Sequence, residues 1–154
     1  MSNLLDNLTE KYNTLINQYN LYNTEKNISY ITQLSYFNSK DIPKISIKDY
    51  LIRIKRYSKC TNECLISSYI HLNYLINKKE LVLSYYNIHR LLLISIMICT
   101  KFYEDEFYDN KMWSSIGGIS LSELNTLEIV YCQLIEYKLY ISSFDFKKYE
   151  DLLL

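Results

Sequence analysis

Two histidines, four cysteines, a short acidic run and a lysine–glutamate couple are the residues of this chain whose types could support chemistry. His71 and His89 lack the spacing of a zinc site, and Cys60 and Cys64 belong to no recurring pair of metal-ligand cysteines. Buried small side chains are the plainer reading of all four cysteines, Cys60, Cys64, Cys99 and Cys132. The Glu104-Asp105-Glu106 run could offer carboxylates to a metal, but a charge run after a helix reads as a solvated face. A Cys–His nucleophile would require tertiary geometry that no local motif declares. His89 falls in a first helical turn and reads as a satisfied structural histidine. With no converging acid, base and nucleophile and no glycine-rich phosphate loop, the chain reads as non-catalytic, without cofactor or metal. Lys101 and Glu128 remain. Periodicity alone makes them an intramolecular ion pair or two solvated charges.

The elements that must position these residues are helical. Leu91 to Cys99 is apolar on every side of a helix, and Lys101-Phe102-Tyr103-Glu104-Asp105 follows at once. Such a helix belongs inside a protein or inside a membrane. Nine residues span only about 14 Å, well short of the ~20 residues a bilayer needs. The spacing therefore predicts the central helix of an all-α domain with no membrane association. Ser84 is expected to cap this helix. Before it, Ser46 with Asp49 marks the start of a helix over Ile47 to Tyr57 that buries Ile47, Tyr50, Leu51 and Ile54. Thr61 caps a second one reaching about Ile76, with Leu65, Ile66, Tyr69, Ile70 and Leu72 inward. A short segment around Lys111 to Ile116 stops at Gly117-Gly118. Ser120 and Glu123 form a capping box for a helix to about Leu139, whose stripe is Leu124, Leu127, Tyr131, Leu134 and Ile135.

Five helices in about 100 residues, the third wholly apolar, require four outer helices to wrap one central helix. An N-terminal helix runs from residue 1 to about 25, with Leu4, Leu5, Leu8, Tyr12, Leu15, Ile16 and Tyr19 at helical spacing. Phe144 to Leu154 is a tail with room for a turn or two of helix. The organisation is an extension over 1–36, a five-helix domain over 37–149 and a tail over 150–154.

Composition narrows the function classes. Hydrophobic residues make up 49% and charged residues 22%, as in a globular rather than a disordered chain. Two glycines and one proline are too few for a sheet protein with many hairpins. The abundance of tyrosine, 17 residues, together with the absence of alanine, reads as codon bias. Close helix crossings must therefore use Ser67, Ser68, Ser95 and Cys99. Seventeen basic residues balance 17 acidic ones, a poor match to phosphate neutralisation, so no nucleic-acid partner is expected. Basic residues nonetheless gather between Lys44 and Lys59. The N-terminus lacks an apolar export signal, which points to reduced thiols in an intracellular protein of nucleus or cytoplasm.

Several motifs together resemble the cyclin box, of the P/U type related to the yeast phosphate-pathway cyclin. They are Ile45-Ser46-Ile47-x-x-Tyr50-Leu51-x-Arg53-Ile54-x-x-Tyr57, Asn87-Ile88-His89-Arg90-Leu91-Leu92, Lys101-Phe102-Tyr103-Glu104-Asp105, Tyr108-Asp109-Asn110, Gly117-Gly118-Ile119 and Glu123-Leu124-Asn125-x-Leu127-Glu128. The resemblance runs from about Phe37 to Tyr149. It implies a regulatory subunit that forms a heterodimer with a cyclin-dependent protein kinase and activates it by positioning helix C. In that family a lysine at the end of the third box helix and a glutamate in the fifth hydrogen-bond the backbone around that kinase helix; Lys101 and Glu128 match them. Phe102 and Tyr137 match apolar or aromatic contacts, and Ile98 and Cys132 match the groove lining. The chain departs from the family where Asn73-Tyr74 replaces an Asp-Arg and where Ile45 or Ser46 replaces the arginine that pairs with the aspartate. Loss of both partners avoids an unpaired buried charge, and substrate docking through the usual first-helix patch is not implied. A second reading is a cyclin-box transcription adaptor of the transcription factor IIB kind. The N-terminal helix either packs on the box or touches the kinase.

Overall fold

In the computed structural model, residues 2–22 and 32–154 are described; Tyr19, expected on the buried stripe of the first helix, lies outside the residues whose side chains are described. Among the described residues there are seven α-helices and no strand. They are α1 (Ser2–Tyr22), α2 (Ile47–Ser58), α3 (Asn62–Asn77), α4 (Ile88–Tyr103), α5 (Asn110–Gly117), α6 (Leu121–Leu134) and α7 (Ser143–Leu153), with a 3-10 turn at Thr32–Phe37.

The helix starts follow local side-chain chemistry. Ser46, Thr61 and Ser120 accept the backbone N–H of Asp49, Cys64 and Glu123, each three residues on. Each bond satisfies one of the orphan donors of a first turn. Asp109 and Ser142, neither of which sequence reasoning placed at a cap, do the same for α5 and α7. Two expectations are corrected here. Ser84 does not cap the central helix: its carbonyl accepts Asn87 N–H and Ile88 N–H, so it opens a turn that precedes α4. The Asn87 side chain folds back to Ser84 N–H and Val82 O, and the first helical residue is Ile88. The capping box at Ser120 is half made, because the Glu123 carboxylate pairs with Arg90 instead of returning to the Ser120 amide.

From Ile88 to Thr100, every residue of α4 except Arg90 is buried. Helices α2, α3, α5 and α6 all pack on it, so its apolar circumference has neighbours on all sides. Small side chains let two of these helices meet closely: Ser68 Oγ and Ser95 Oγ lie 2.9 Å apart in the α3–α4 seam. Gly117 brings α5 against α4 in the same way, since a Cβ there would collide with Leu93. Gly118 takes a left-handed conformation (φ 74°) that ends α5.

The N-terminal helix packs on the box. Leu4, Leu8, Tyr12 and Ile16 enter the same core as the box helices, and so does Leu153 of α7. Asn7 Nδ2 donates to Leu153 O at 2.8 Å, and Tyr12 meets Tyr69 edge-on at 5.5 Å. The C-terminal segment is longer than the expected turn or two, with 11 residues in α7. Conversely, α6 stops at Leu134 rather than near Leu139. Glu136 and Tyr137 are both left-handed (φ 55° and 58°), and their N–H groups turn back to Gln133 O and Cys132 O. Asn73, which stands where the resemblance implies a charged partner, donates its Nδ2 to the Tyr149 hydroxyl of α7 at 3.0 Å, a neutral bond that leaves no charge buried.

Candidate functional site

After Arg90, Lys101 is the first residue along α4 whose side chain is not wholly enclosed, and it stands in the last turn, where a cation favours the helix dipole. Its Nζ donates to Glu128 Oε2 at 2.6 Å and to Asn110 Oδ1. Asn110 Nδ2 in turn donates to Glu128 Oε1 at 3.0 Å and to Asn125 Oδ1 at 2.7 Å. Residues from α4, α5 and α6 thus close one polar ring. The Lys101 and Glu128 side chains are 27% and 24% exposed. A pair this accessible contributes on the order of 1 kcal/mol or less to folding, so the ring is too weak to count as a pillar of the fold. Its hydrogen-bonding capacity is not exhausted: an ammonium has three donors and a carboxylate about four acceptor positions. One lysine proton and part of the carboxylate remain for an outside backbone carbonyl and N–H.

Asn110 and Asn125 were missed as members of this ring, although both lie within motifs that carried the resemblance. Nothing in their spacing to Lys101 or Glu128 could have revealed it. Asn110 reaches the pair because Asp109 caps α5 and sets its first residue beside the end of α4.

Large exposed aromatic groups follow Lys101 in α4 and follow the end of α6. Phe102 is 50% exposed, and its ring meets Tyr103 perpendicularly at 4.7 Å. Tyr137 is 68% exposed, but it sits in the left-handed turn after α6 rather than on that helix. Ile98 is buried in the core and can form only the floor beneath. Cys132 is partly exposed; burial pushes its thiol up, the Glu128 carboxylate adds to this and Lys101 opposes it. Ile129, next to Glu128, and Phe107 are exposed apolar side chains that sequence reasoning did not select.

The groups first considered for catalysis have structural employment. Glu104 is not merely solvated: its Oε1 accepts Thr61 N–H at 3.0 Å and the Cys64 thiol at 3.1 Å, joining the end of α4 to the start of α3. Burial pushes that thiol up to about 12, helped by the Glu104 contact. His71 and Cys99 do meet, at 3.6 Å, but burial raises the Cys99 thiol well above its ordinary value and lowers His71. Both stay neutral, the opposite of an activated thiolate–imidazolium pair. His89 Nε2 bonds Ile45 O at 2.8 Å. Among the described residues no group of three or more His, Cys, Asp or Glu side chains could hold a metal ion, and no helix is long and apolar enough to cross a membrane.

Residues 4–139 match the Cyclin family. The chain is 36% identical over 135 residues to PHO85 cyclin-7 of Saccharomyces cerevisiae, covering 80% of this chain and 47% of that protein. It is 38% identical over 120 residues to the PHO85 cyclin-like protein psl1 of Schizosaccharomyces pombe, covering 77% and 49%. It is 35% identical over 127 residues to Cyclin-U4-3 of Arabidopsis thaliana, covering 82% and 58%. The chain thus spans about half the length of the curated relatives it matches. A single box built around a buried α4, with the matched residues covering most of the chain, makes it a P/U-type member of the cyclin family.

Proposed function

We propose that this chain is the regulatory subunit of a cyclin-dependent protein kinase, which it binds as a heterodimer and activates by positioning helix C. The observation that carries this reading is the partly exposed Lys101–Asn110–Glu128 ring, with unspent donors and acceptors and the exposed Phe102 next in the chain. The names of the two yeast relatives, both PHO85 cyclins or cyclin-like, support it.

The mechanism is a population shift. In an isolated kinase of this class, helix C is displaced and its glutamate cannot pair with the ATP-binding lysine. A rigid surface that binds only the inward position stabilises that position by its differential affinity. Lys101 would donate to a backbone carbonyl of that helix and Glu128 would accept a backbone N–H, which fixes register. Phe102 and Tyr137 would supply apolar contact area and most of the affinity. Rigidity comes from burial: Ile98 and Thr100, just before Lys101, are held in the core. The chain itself performs no chemistry, needs neither nucleic acid nor membrane, and works inside the cell, in nucleus or cytoplasm.

The test is co-purification with candidate cyclin-dependent kinases, followed by a phosphorylation assay. The wild-type chain should form a one-to-one complex and raise kinase activity. If Lys101→Ala combined with Glu128→Ala leaves binding and activation unchanged, the interface is misassigned.

A further inference from the structure

The turn that carries Tyr137 is unusual. Two successive non-glycine residues, Glu136 and Tyr137, are left-handed (φ 55° and 58°), a conformation that costs energy in L-residues and persists only where surrounding contacts enforce it. Besides the turn's own backbone bonds and the Glu136 pairs with Lys78 and Lys138, two side chains from other helices converge on one peptide carbonyl. Leu139 O accepts the Tyr103 hydroxyl proton at 2.7 Å and a bond from His71 Nε2 at 2.8 Å. A carbonyl only accepts, so the His71 proton is on Nε2; Nδ1 is then the acceptor that faces the Cys99 thiol at 3.6 Å. The Tyr103 hydroxyl also accepts Ile141 N–H at 3.1 Å, so one phenol holds two backbone groups of the stretch of chain that leaves the turn. His71 is 3% exposed and rooted in α3, whereas Tyr103 belongs to the last turn of α4, two residues beyond Lys101.

We infer that Tyr103, backed by His71, is a positioning residue that holds the 136–141 turn and thereby sets the exposed Tyr137 ring in the partner-binding surface. This rests on the reading of Lys101 and Phe102 as a kinase contact. The physical reason is preorganisation: an exposed ring on a turn free to relax would be ordered only on binding, at the expense of affinity. Both halves of the surface then depend on one element, since α4 presents Lys101 and Phe102 directly and presents Tyr137 through the Tyr103 hydroxyl.

Tyr103→Phe removes the hydroxyl and keeps the ring that meets Phe102, and Tyr137→Asn removes the ring while leaving a residue that tolerates the left-handed region. Affinity for a purified cyclin-dependent kinase that binds the wild-type chain is measured for both variants and their combination, with Lys101→Ala as reference. Tyr103→Phe should weaken binding about fivefold to tenfold, the effect of one or two lost hydrogen bonds, and should do so less than twofold when Tyr137→Asn is already present. Equal losses in both backgrounds, or no loss while Lys101→Ala weakens binding, would overturn the inference. If Lys101→Ala is also without effect, the kinase-contact reading fails, and hydrogen exchange without any partner then decides on the brace. Tyr103→Phe should speed exchange across residues 136–141 about fivefold and leave the body of α4 unchanged; unchanged exchange in the turn would show that the phenol holds nothing.

Discussion

Helices α4 and α6 are joined by two ion pairs, one near each end of α4, and only one of the two lies in the proposed kinase-binding surface. Arg90 pairs with Glu123 at side-chain exposures of 22% and 35%, and Lys101 pairs with Glu128 at 27% and 24%. Chemistry and burial barely separate them. Their surroundings do. At the Arg90 end Glu123 belongs to a helix start that Ser120 already caps, and the neighbouring His89 is tied to Ile45 O and packed on Tyr50. At the Lys101 end, two asparagines extend the pair into a ring, and the next two residues of the chain, Phe102 and Tyr103, are exposed aromatic side chains. A charge pair on a helix surface is therefore weak evidence of function by itself. Unspent hydrogen-bonding capacity next to exposed aromatic groups is stronger evidence.

That contrast can be broken in four ways, from the largest effect to the smallest. Leu92→Ala removes a fully buried side chain midway along α4. It should cost about 3 kcal/mol in denaturant unfolding, because the cavity adds to the lost transfer energy. Both ends of α4 should suffer together, with kinase binding lost only in proportion to unfolded protein. Lys101→Ala should lower kinase affinity by about 2 kcal/mol, roughly 30-fold, while folding stability moves by less than ~1 kcal/mol. A calorimetric titration beside a thermal melt would separate these; a stability loss that accounts for all of the binding loss would erase the distinction between the two ends.

Acidification probes the histidines that support each end. Burial lowers the pKa of His71 and of His89, against the opposing pull of the carbonyls of Leu139 and Ile45. In the unfolded chain both regain the ordinary value of about 6.5. Below that pH the unfolded state binds more protons than the folded one, so stability is complete above the window and falls as pH drops through it toward the lower folded values. Melting temperatures at pH 7.5 and 5.5 should differ in that direction, and His71→Gln and His89→Gln should each shrink the drop; an undiminished drop in both would assign it to carboxylates instead. The smallest effect is expected from Arg90→Met. It should change stability by less than ~1 kcal/mol and leave kinase affinity unchanged. A binding loss equal to that of Lys101→Ala would make the two ion pairs equivalent and dissolve the comparison.

Much of the fold was legible because its signals are local. A cap needs a hydroxyl and an amide three residues apart, and Ser46, Thr61 and Ser120 provide that in the sequence itself. The buried stripe of α2, Ile47, Tyr50, Leu51 and Ile54, follows from helical periodicity. The failures share one cause. The apolar pattern runs on past Leu134, so a helix to Leu139 was the local reading; Tyr103 and His71, distant in sequence, capture the Leu139 carbonyl and the chain turns away. Glu104 reads as one of three solvated charges until α3 places an open amide and a thiol against it.

The sequence by itself determined where helices begin, which faces they bury and that one of them had to be central, since these depend on periodicity and on contacts within one turn. Family resemblance added which surface residues to watch. Only the tertiary structure decided that Lys101, Asn110, Asn125 and Glu128 form one ring and that Tyr137 stands on a turn rather than a helix. Those relations join residues on separate helices, and the distances between them exist only once α4 has been wrapped by its neighbours.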